Sequence, residues 1–223
     1  PDWLKEYRKN SLSIYHDLPV EVSPLYNKYT DARRMNPEQV SLSTSSDSSV
    51  PDFLAKRLDE IKNEISIVQI GSNIYSINVN DELKSKGLVI SSLDDALQNH
   101  SELIQKTLED SNSKEDKYTA LNNAAFNSGI FVYIPQNLTV DKPIHLVSCL
   151  SLDGISTISR NMIIAETNTQ VSVVQELYAP KASKQQAYLE LLDTRVGENS
   201  KLDFTTLQIM DQSTVNFSTR RTH

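Results

Sequence analysis

The spacing of apolar residues changes near Gly129, from helical intervals to alternation. Trp3, Leu4, Tyr7, Leu12, Ile14 and Tyr15 recur at intervals of three and four among charged residues, which puts most of them on one stripe of a helix. Pro19 ends that helix, because proline lacks the N–H that a helix interior needs. Phe53, Leu54, Leu58 and Ile61 predict a second helix after Pro51. The runs from Ile65 to Ile70 and from Ile74 to Val79 flank Gly71-Ser72-Asn73 and read as a β-hairpin. Ser92 or Asp94 is placed to cap a helix through Ala96, Leu97, Leu103, Ile104 and Leu108, and Tyr118 to Phe126 predicts another, stopped by Gly129.

After Gly129 the pattern becomes strands with no convincing helix. Asn137-Leu138-Thr139-Val140, Asn168-Thr169-Gln170-Val171 and Asn199-Ser200-Lys201-Leu202 share the form Asn-x-x-apolar, and their asparagines lie 31 residues apart, twice. Ile134, Ala165 and Val196 fall in one column of that period, as do Val132, Ile163 and Thr194. A fixed period of this size, with strands bounded by a residue that tolerates left-handed turns, is what a β-solenoid needs when coils stack. A β-sandwich with coincident asparagines is the competing reading. The expected organisation is a small N-terminal α/β region over 1–128 and the first coils of a solenoid over 129–223, mostly β overall. The stretch SLSTSSDSS over 41–49 is too polar to pack and is expected to be a mobile connector inside the first region.

Charge narrows the function classes. Lys and Arg number 22 against 29 Asp and Glu, a net charge of −7, so the surface is not built to neutralise phosphates and nucleic acid is not an expected partner. The longest apolar run, Ile130 to Ile134, is far short of the roughly 20 residues that span a bilayer, and no segment looks like a signal peptide. A cytoplasmic location is expected. The chain starts at Pro1 and stops after Arg220-Arg221-Thr222-His223, and it is expected to be a truncated piece of a longer protein.

Candidate chemistry is sparse. Cys149 is the one cysteine, and His16, His100, His145 and His223 are scattered singly, so no spacing suits a metal and none is expected. The five glycines form no phosphate-cradling loop, which excludes nucleotide hydrolysis. Acid pairs at Asp81-Glu82, Asp94-Asp95, Glu109-Asp110 and Glu115-Asp116 fall in expected turns, caps and exposed helix faces, where solvation outweighs acid/base work. Cys149 sits in the alternating run Ile144 to Cys149 and is expected to be a buried, unreactive thiol. Trp3 and Tyr7 would either dock a partner or pack on the chain's own β part.

Four segments in order resemble the SufB/SufD family of iron-sulfur cluster assembly proteins. Pro1-Asp2-Trp3-Leu4-Lys5-Glu6-Tyr7-Arg8 with Leu12, Tyr15 and Leu18-Pro19 is similar to the family's N-terminal helix. Asn123-Ala124-Ala125-Phe126-Asn127-Ser128-Gly129-Ile130-Phe131-Val132-Tyr133-Ile134-Pro135, followed by Pro143-Ile144, is similar to the GxFxYIP…PI signature that opens the family's β-helix. Met162 to Glu166 with Val171 to Glu176, and Thr206-Leu207-Gln208 with Asn216 to Arg221, complete the match. The resemblance implies a right-handed parallel β-helix after a small α/β region, in a non-enzymatic scaffold. Its implied partners are a SufC-type ABC ATPase, contacted beyond His223, and a SufB-type paralogue or a second copy.

In the B paralogue a cysteine, a Gln, a Trp and a Lys are implicated in sulfur passage. The matching positions here are Leu177, Gln208, Met210 and Arg220, so only the Gln and one positive charge are kept. The paralogue's RIN segment falls near Ser151-Leu152-Asp153, without its Arg or Asn. Gln208 and Arg220 are therefore the only implied cofactor-binding positions, with no catalytic residue and no metal ligand. The resemblance is strongest to the D-type paralogue, and a cluster would be present only transiently, at the level of the complex. A carbohydrate-active β-helix such as a polysaccharide lyase would need converging acids, for which Asp141, Glu166, Asp203 and Asp211 are the candidates; a purely structural solenoid is the remaining alternative.

Overall fold

A computed structural model describes residues 1–22, 31–36, 40–42, 49–109, 115–150 and 155–223. In chain order the elements are α1 (Asp2–Asp17), a 3-10 turn (Ala32–Arg34), β1 (Ser41–Leu42), α2 (Asp52–Ile61), β2 (Ile65–Ile70), β3 (Asn73–Asn78), α3 (Asp81–Ser85), β4 (Val89–Ser92), α4 (Leu93–Asn99), α5 (Ser101–Glu109), α6 (Lys117–Ala125), β5 (Ile130–Ile134), β6 (Ile144–Cys149), β7 (Ile155–Ala165), β8 (Gln170–Ala179), β9 (Gln186–Val196), β10 (Lys201–Met210) and β11 (Thr214–Thr222). The class is mixed α/β with two mixed sheets.

The strands after Gly129 alternate between the sheets. One sheet has the order β11-β9-β7-β5-β4, with β1 beside β7; the other has the order β10-β8-β6-β2-β3. Pairings among β5 to β11 are parallel, while the hairpin β2–β3 and the pair β4–β5 are antiparallel. Register follows the sequence period: Phe131 pairs with Met162, Thr157 with Tyr188, and Gln170 with Lys201. Corners explain the repeat, because Asn137, Asn168 and Asn199 have φ of 64°, 59° and 57°, a left-handed conformation that Asn adopts more readily than other residues with a Cβ. Asn168 also donates Nδ2 to Asn137 Oδ1 at 3.0 Å, so successive corners are bonded side chain to side chain.

Between the sheets lies an apolar filling of Ile130, Val132, Ile134, Ile144, Leu146, Ile163, Val171, Val173 and Leu192, closed at one end by Val79, Leu83 and Leu88. Because side chains alternate along a strand, the intervening residues face outward. Phe131, Ile158, Met162, Ile164, Ala187 and Leu189 carry α1 and α4 to α6 through Leu4, Leu97, Ile104, Leu108 and Phe126. Trp3 and Tyr7 pack against this cluster, on the chain's own β part. On the opposite face Val68, Ile70, Val147, Cys149 and Tyr178 carry α2 through Leu54 and Ile61.

The helix expected across 92–108 is two helices, α4 and α5, meeting at His100, whose ring stacks on Phe131 at 5.5 Å. Ser92 is its cap, accepting from the Asp95 N–H at 3.0 Å. From the 41–49 connector, Ser41 and Leu42 form β1 and pair with Ile155 and Ser156; residues 43–48 lie outside the described residues. Strand β4 and helix α3 were not anticipated from the pattern.

Candidate functional site

Polar side chains collect at one level of the space between the sheets. On β7 to β11 the residues facing inward at this level are Ser159 and Asn161, Gln175, Tyr188 and Glu190, Thr206 and Gln208, and Asn216, Ser218 and Arg220. Cross-strand register aligns them: Thr206 lies opposite Gln175, Gln208 opposite Leu177, and Ser218 opposite Glu190. Asn161 Nδ2 donates to Glu190 Oε1 at 2.7 Å, and Gln175 Nε2 donates to the same oxygen. Thr206 and Arg220 both donate to Gln175 Oε1, at 3.2 and 3.3 Å. Asn216 donates to Gln208 Oε1 at 2.9 Å.

The two residues singled out by resemblance therefore belong to one polar band. Gln208 and Arg220 are exposed residues of the band on β10 and β11, the last strand of each sheet in this sequence. Leu177, where the B paralogue has its cysteine, is buried beside Gln208 in a small apolar cluster with Leu150, Ala179 and Tyr188, and Met210 packs on it. Ser151-Leu152-Asp153 lies outside the described residues. Cys149 faces the other way, beneath α2. Its Sγ donates to the Leu150 carbonyl at 3.2 Å, and burial pushes the thiol up to about 12, which removes thiolate character at neutral pH. The band thus offers amides, hydroxyls, one carboxyl and one guanidinium, and no sulfur nucleophile.

Two further buried charge clusters lie outside the band, and pattern reasoning missed both. Glu176 has a fully buried side chain and receives Arg57 Nε at 2.8 Å, Arg57 Nη2 at 2.7 Å and the Tyr178 hydroxyl at 2.7 Å, with His145 Nδ1 at 3.2 Å. Burial alone would raise this carboxyl, but the hydrogen bonds from His145, Arg57 and Tyr178 hold it at about 2. Arg160, fully buried under α6, pairs with Asp193 and donates to Asn123 Oδ1. Arg221 then links the same edge to Glu115 at 2.7 Å. The available signal was a charge inside an otherwise apolar strand, as at Arg160 and Glu190, but alternation does not say which cover it meets.

Three of the acid pairs supply local ion pairs or caps, Glu115 reaches Arg221 as above, and Asp110 lies outside the described residues. Asp81 and Glu82 face Lys84 and Lys86, Asp95 bonds its cap Ser92, and Asp116 caps α6. The acids that a lyase would need do not converge: Asp203 pairs with Lys201 at 2.8 Å and Asp211 bonds Ser213 at 2.7 Å. Among the described residues no group of three or more His, Cys, Asp or Glu side chains is placed to hold a metal, and no helix is long and apolar enough to cross a membrane.

Comparison with known proteins gives the family. Residues 56–146 match the SufBD protein N-terminal region, and residues 149–223 match the SufBD core domain of the SUF system for FeS cluster assembly. The iron-sulfur cluster assembly SufBD family protein of Staphylococcus aureus strain USA300 is 24% identical over 239 aligned residues, covering 100% of this chain and 50% of the relative. The corresponding protein of Staphylococcus saprophyticus is also 24% identical, with the same coverage. The chain thus spans about half the length of these curated relatives.

Proposed function

This chain belongs to the SufBD family of iron-sulfur cluster assembly proteins, and from that premise we propose that it is a non-catalytic scaffold subunit of the D type. Its alternating parallel strands are read as the first coils of a right-handed parallel β-helix. The observation that carries the functional reading is the interior of these coils. Leu177 fills the position where a thiol would be needed, and the single cysteine points outward under α2 with its proton held tightly. A leucine cannot pass sulfur or bind iron. Gln208 and Arg220 remain as polar groups at the mouth without a nucleophile between them.

The role left for such a subunit is architectural. It pairs with a SufB-type paralogue that carries the sulfur chemistry, and it engages a SufC-type ABC ATPase in the cytoplasm, with any cluster held transiently by the assembly. The exposed edges of β10 and β11 are the surface on which later coils or a partner's strands would add, since each has hydrogen-bonded neighbours on one side only.

Coexpression of the full-length parent with its candidate ABC ATPase and the cysteine-bearing paralogue tests this. A defined complex with stimulated ATPase activity is the expected result. Failure to associate with either protein would reject the scaffold reading. Anaerobic incubation of this chain with iron and sulfide should give no stoichiometric visible absorbance, and a chromophore lost in Cys149→Ser would overturn the reading of that residue.

A further inference from the structure

Helix α1 is attached to the fold through few buried groups. Of its 16 residues only Leu4 and Ser11 are buried, and the Ser11 hydroxyl donates back to the Tyr7 carbonyl of the same helix at 2.8 Å. Trp3 and Tyr7 are half-buried against the cluster that holds Leu97, Ile104 and Phe126, and Leu12 is 46% exposed. A segment with so little buried apolar surface opens at a lower free energy than the core beneath it.

Cations exchanged with α6 fix the helix instead. Arg8 Nη2 donates to the Phe126 carbonyl at 2.9 Å, at the C-terminal end of α6, with the guanidinium 4.3 Å from the Phe126 ring centroid. Lys117 Nζ donates to the Tyr15 and Leu18 carbonyls at 2.6 and 2.7 Å, at the C-terminal end of α1, and lies 4.3 Å from the Tyr15 ring centroid. Both cations meet carbonyls that a helix end leaves without intrahelical partners, where the helix dipole favours positive charge. Lys117 is misplaced for its own helix, because it is the first residue of α6, the end at which the dipole disfavours a cation. Its charge serves α1. Trp3 adds a bond from Nε1 to the Ser101 hydroxyl at 3.3 Å, and the Tyr7 phenol lies against the buried Arg160–Asp193 pair.

We propose that α1 is a releasable strap, which undocks from α6 as one unit while both sheets stay folded. Closed, it covers Phe126 and the approach to the Arg160–Asp193 pair past Tyr7. Open, it leaves on α6 a bare aromatic ring, the Phe126 carbonyl and the Lys117 ammonium, a groove whose chemistry complements an amphipathic helix with the α1 pattern.

The test is native-state hydrogen exchange, read by mass spectrometry on the full-length parent at rising urea below the unfolding transition. Amides of residues 6–17 should exchange through an opening at least about tenfold more populated than the openings of β7 and β9. Lys117→Met and Arg8→Met should each populate the α1 opening about tenfold further, the effect of losing a hydrogen bond from a charged group, and leave β7 and β9 unchanged. Removing a cation from the first turn of α6 does not weaken that helix, so the Lys117→Met effect reports the docking of α1. Lys117→Arg keeps the charge and the donors and should restore most of the protection. Equal openings of α1 and the strands in the wild type would overturn the strap. So would a Lys117→Met variant in which α1 exchange is unchanged, or in which the strands are accelerated as much as α1. Arg8 and Lys117 are half-buried and lie outside both sheets, so their variants keep the fold in which the comparison is made.

Discussion

Beside the apolar contacts of Leu54 and Ile61, helix α2 is tied to the outer face of its sheet by an ion pair from Arg57 to the buried Glu176, and cutting that pair has a calculable cost. The perturbation is Arg57→Met, which keeps the aliphatic stem and removes the charge. Glu176 is fully buried, and its carboxyl falls from an ordinary 4.5 to about 2, which corresponds to about 3 kcal/mol of stabilisation at neutral pH. Arg57 supplies only part of this, because His145 and Tyr178 remain, and the 32% of its side chain that is exposed lets water screen the pair. The expected loss is about 2 kcal/mol at about pH 7, below the 3–5 kcal/mol typical when a fully buried pair is broken.

The sign of the pH dependence follows from the direction of the shift. A depressed carboxylate stabilises fully above its unfolded value of 4.5, and that contribution fades as the pH falls toward 2. The gap between wild type and Arg57→Met should therefore shrink to about 60% of its neutral-pH value by about pH 3. Urea unfolding followed by far-UV circular dichroism measures both points. The double variant Arg57→Met/Glu176→Leu should recover part of the loss, since removing both partners avoids an orphaned buried charge. A loss below about 0.5 kcal/mol at about pH 7 would refute the argument. So would an equal loss at both pH values, which would assign the effect to packing of the arginine stem.

Three further outcomes follow from the geometry. Asn168→Ala should cost about 1 kcal/mol in urea unfolding, because alanine pays for φ 59° that asparagine tolerates, while Asn168→Gly should cost less; the reverse order would reject the corner argument. Gly129→Ala places a Cβ 1.9 Å from the Arg160 carbonyl oxygen, so it should lose at least about 3 kcal/mol or fail to fold, and a variant with wild-type stability would contradict the close approach of the two strands. Cys149 should resist Ellman's reagent at about pH 8 until denaturant is added, given a thiol pushed up to about 12; labelling at the rate of a surface thiol would place it outside the α2 cover.

The parts of this fold visible in the sequence are those that constrain a residue locally. The left-handed corners demand Asn or Gly, so Asn137, Asn168 and Asn199 mark the coil length directly. Helix α1 shows because it buries one face and leaves the other wet, and the β2–β3 hairpin because Gly71, with φ of 59°, marks its turn. Strands β7 and β9 are buried on both faces, so the run Ile158-Ser159-Arg160-Asn161-Met162-Ile163 has no wet side to orient it. Arg160 and Asn161 then read alike, although one lies under α6 with Asp193 and the other reaches Glu190 between the sheets.

The same reasoning explains why Gln208 and Arg220 were found and Glu190 was not. Resemblance marks positions one at a time, whereas Glu190 acquires its meaning from neighbours 29 and 15 residues away, Asn161 and Gln175. Those partners sit on adjacent coils and on the facing sheet, and neither separation equals the corner period of 31. A polar residue inside stacked coils is therefore assigned by register and not by its own strand.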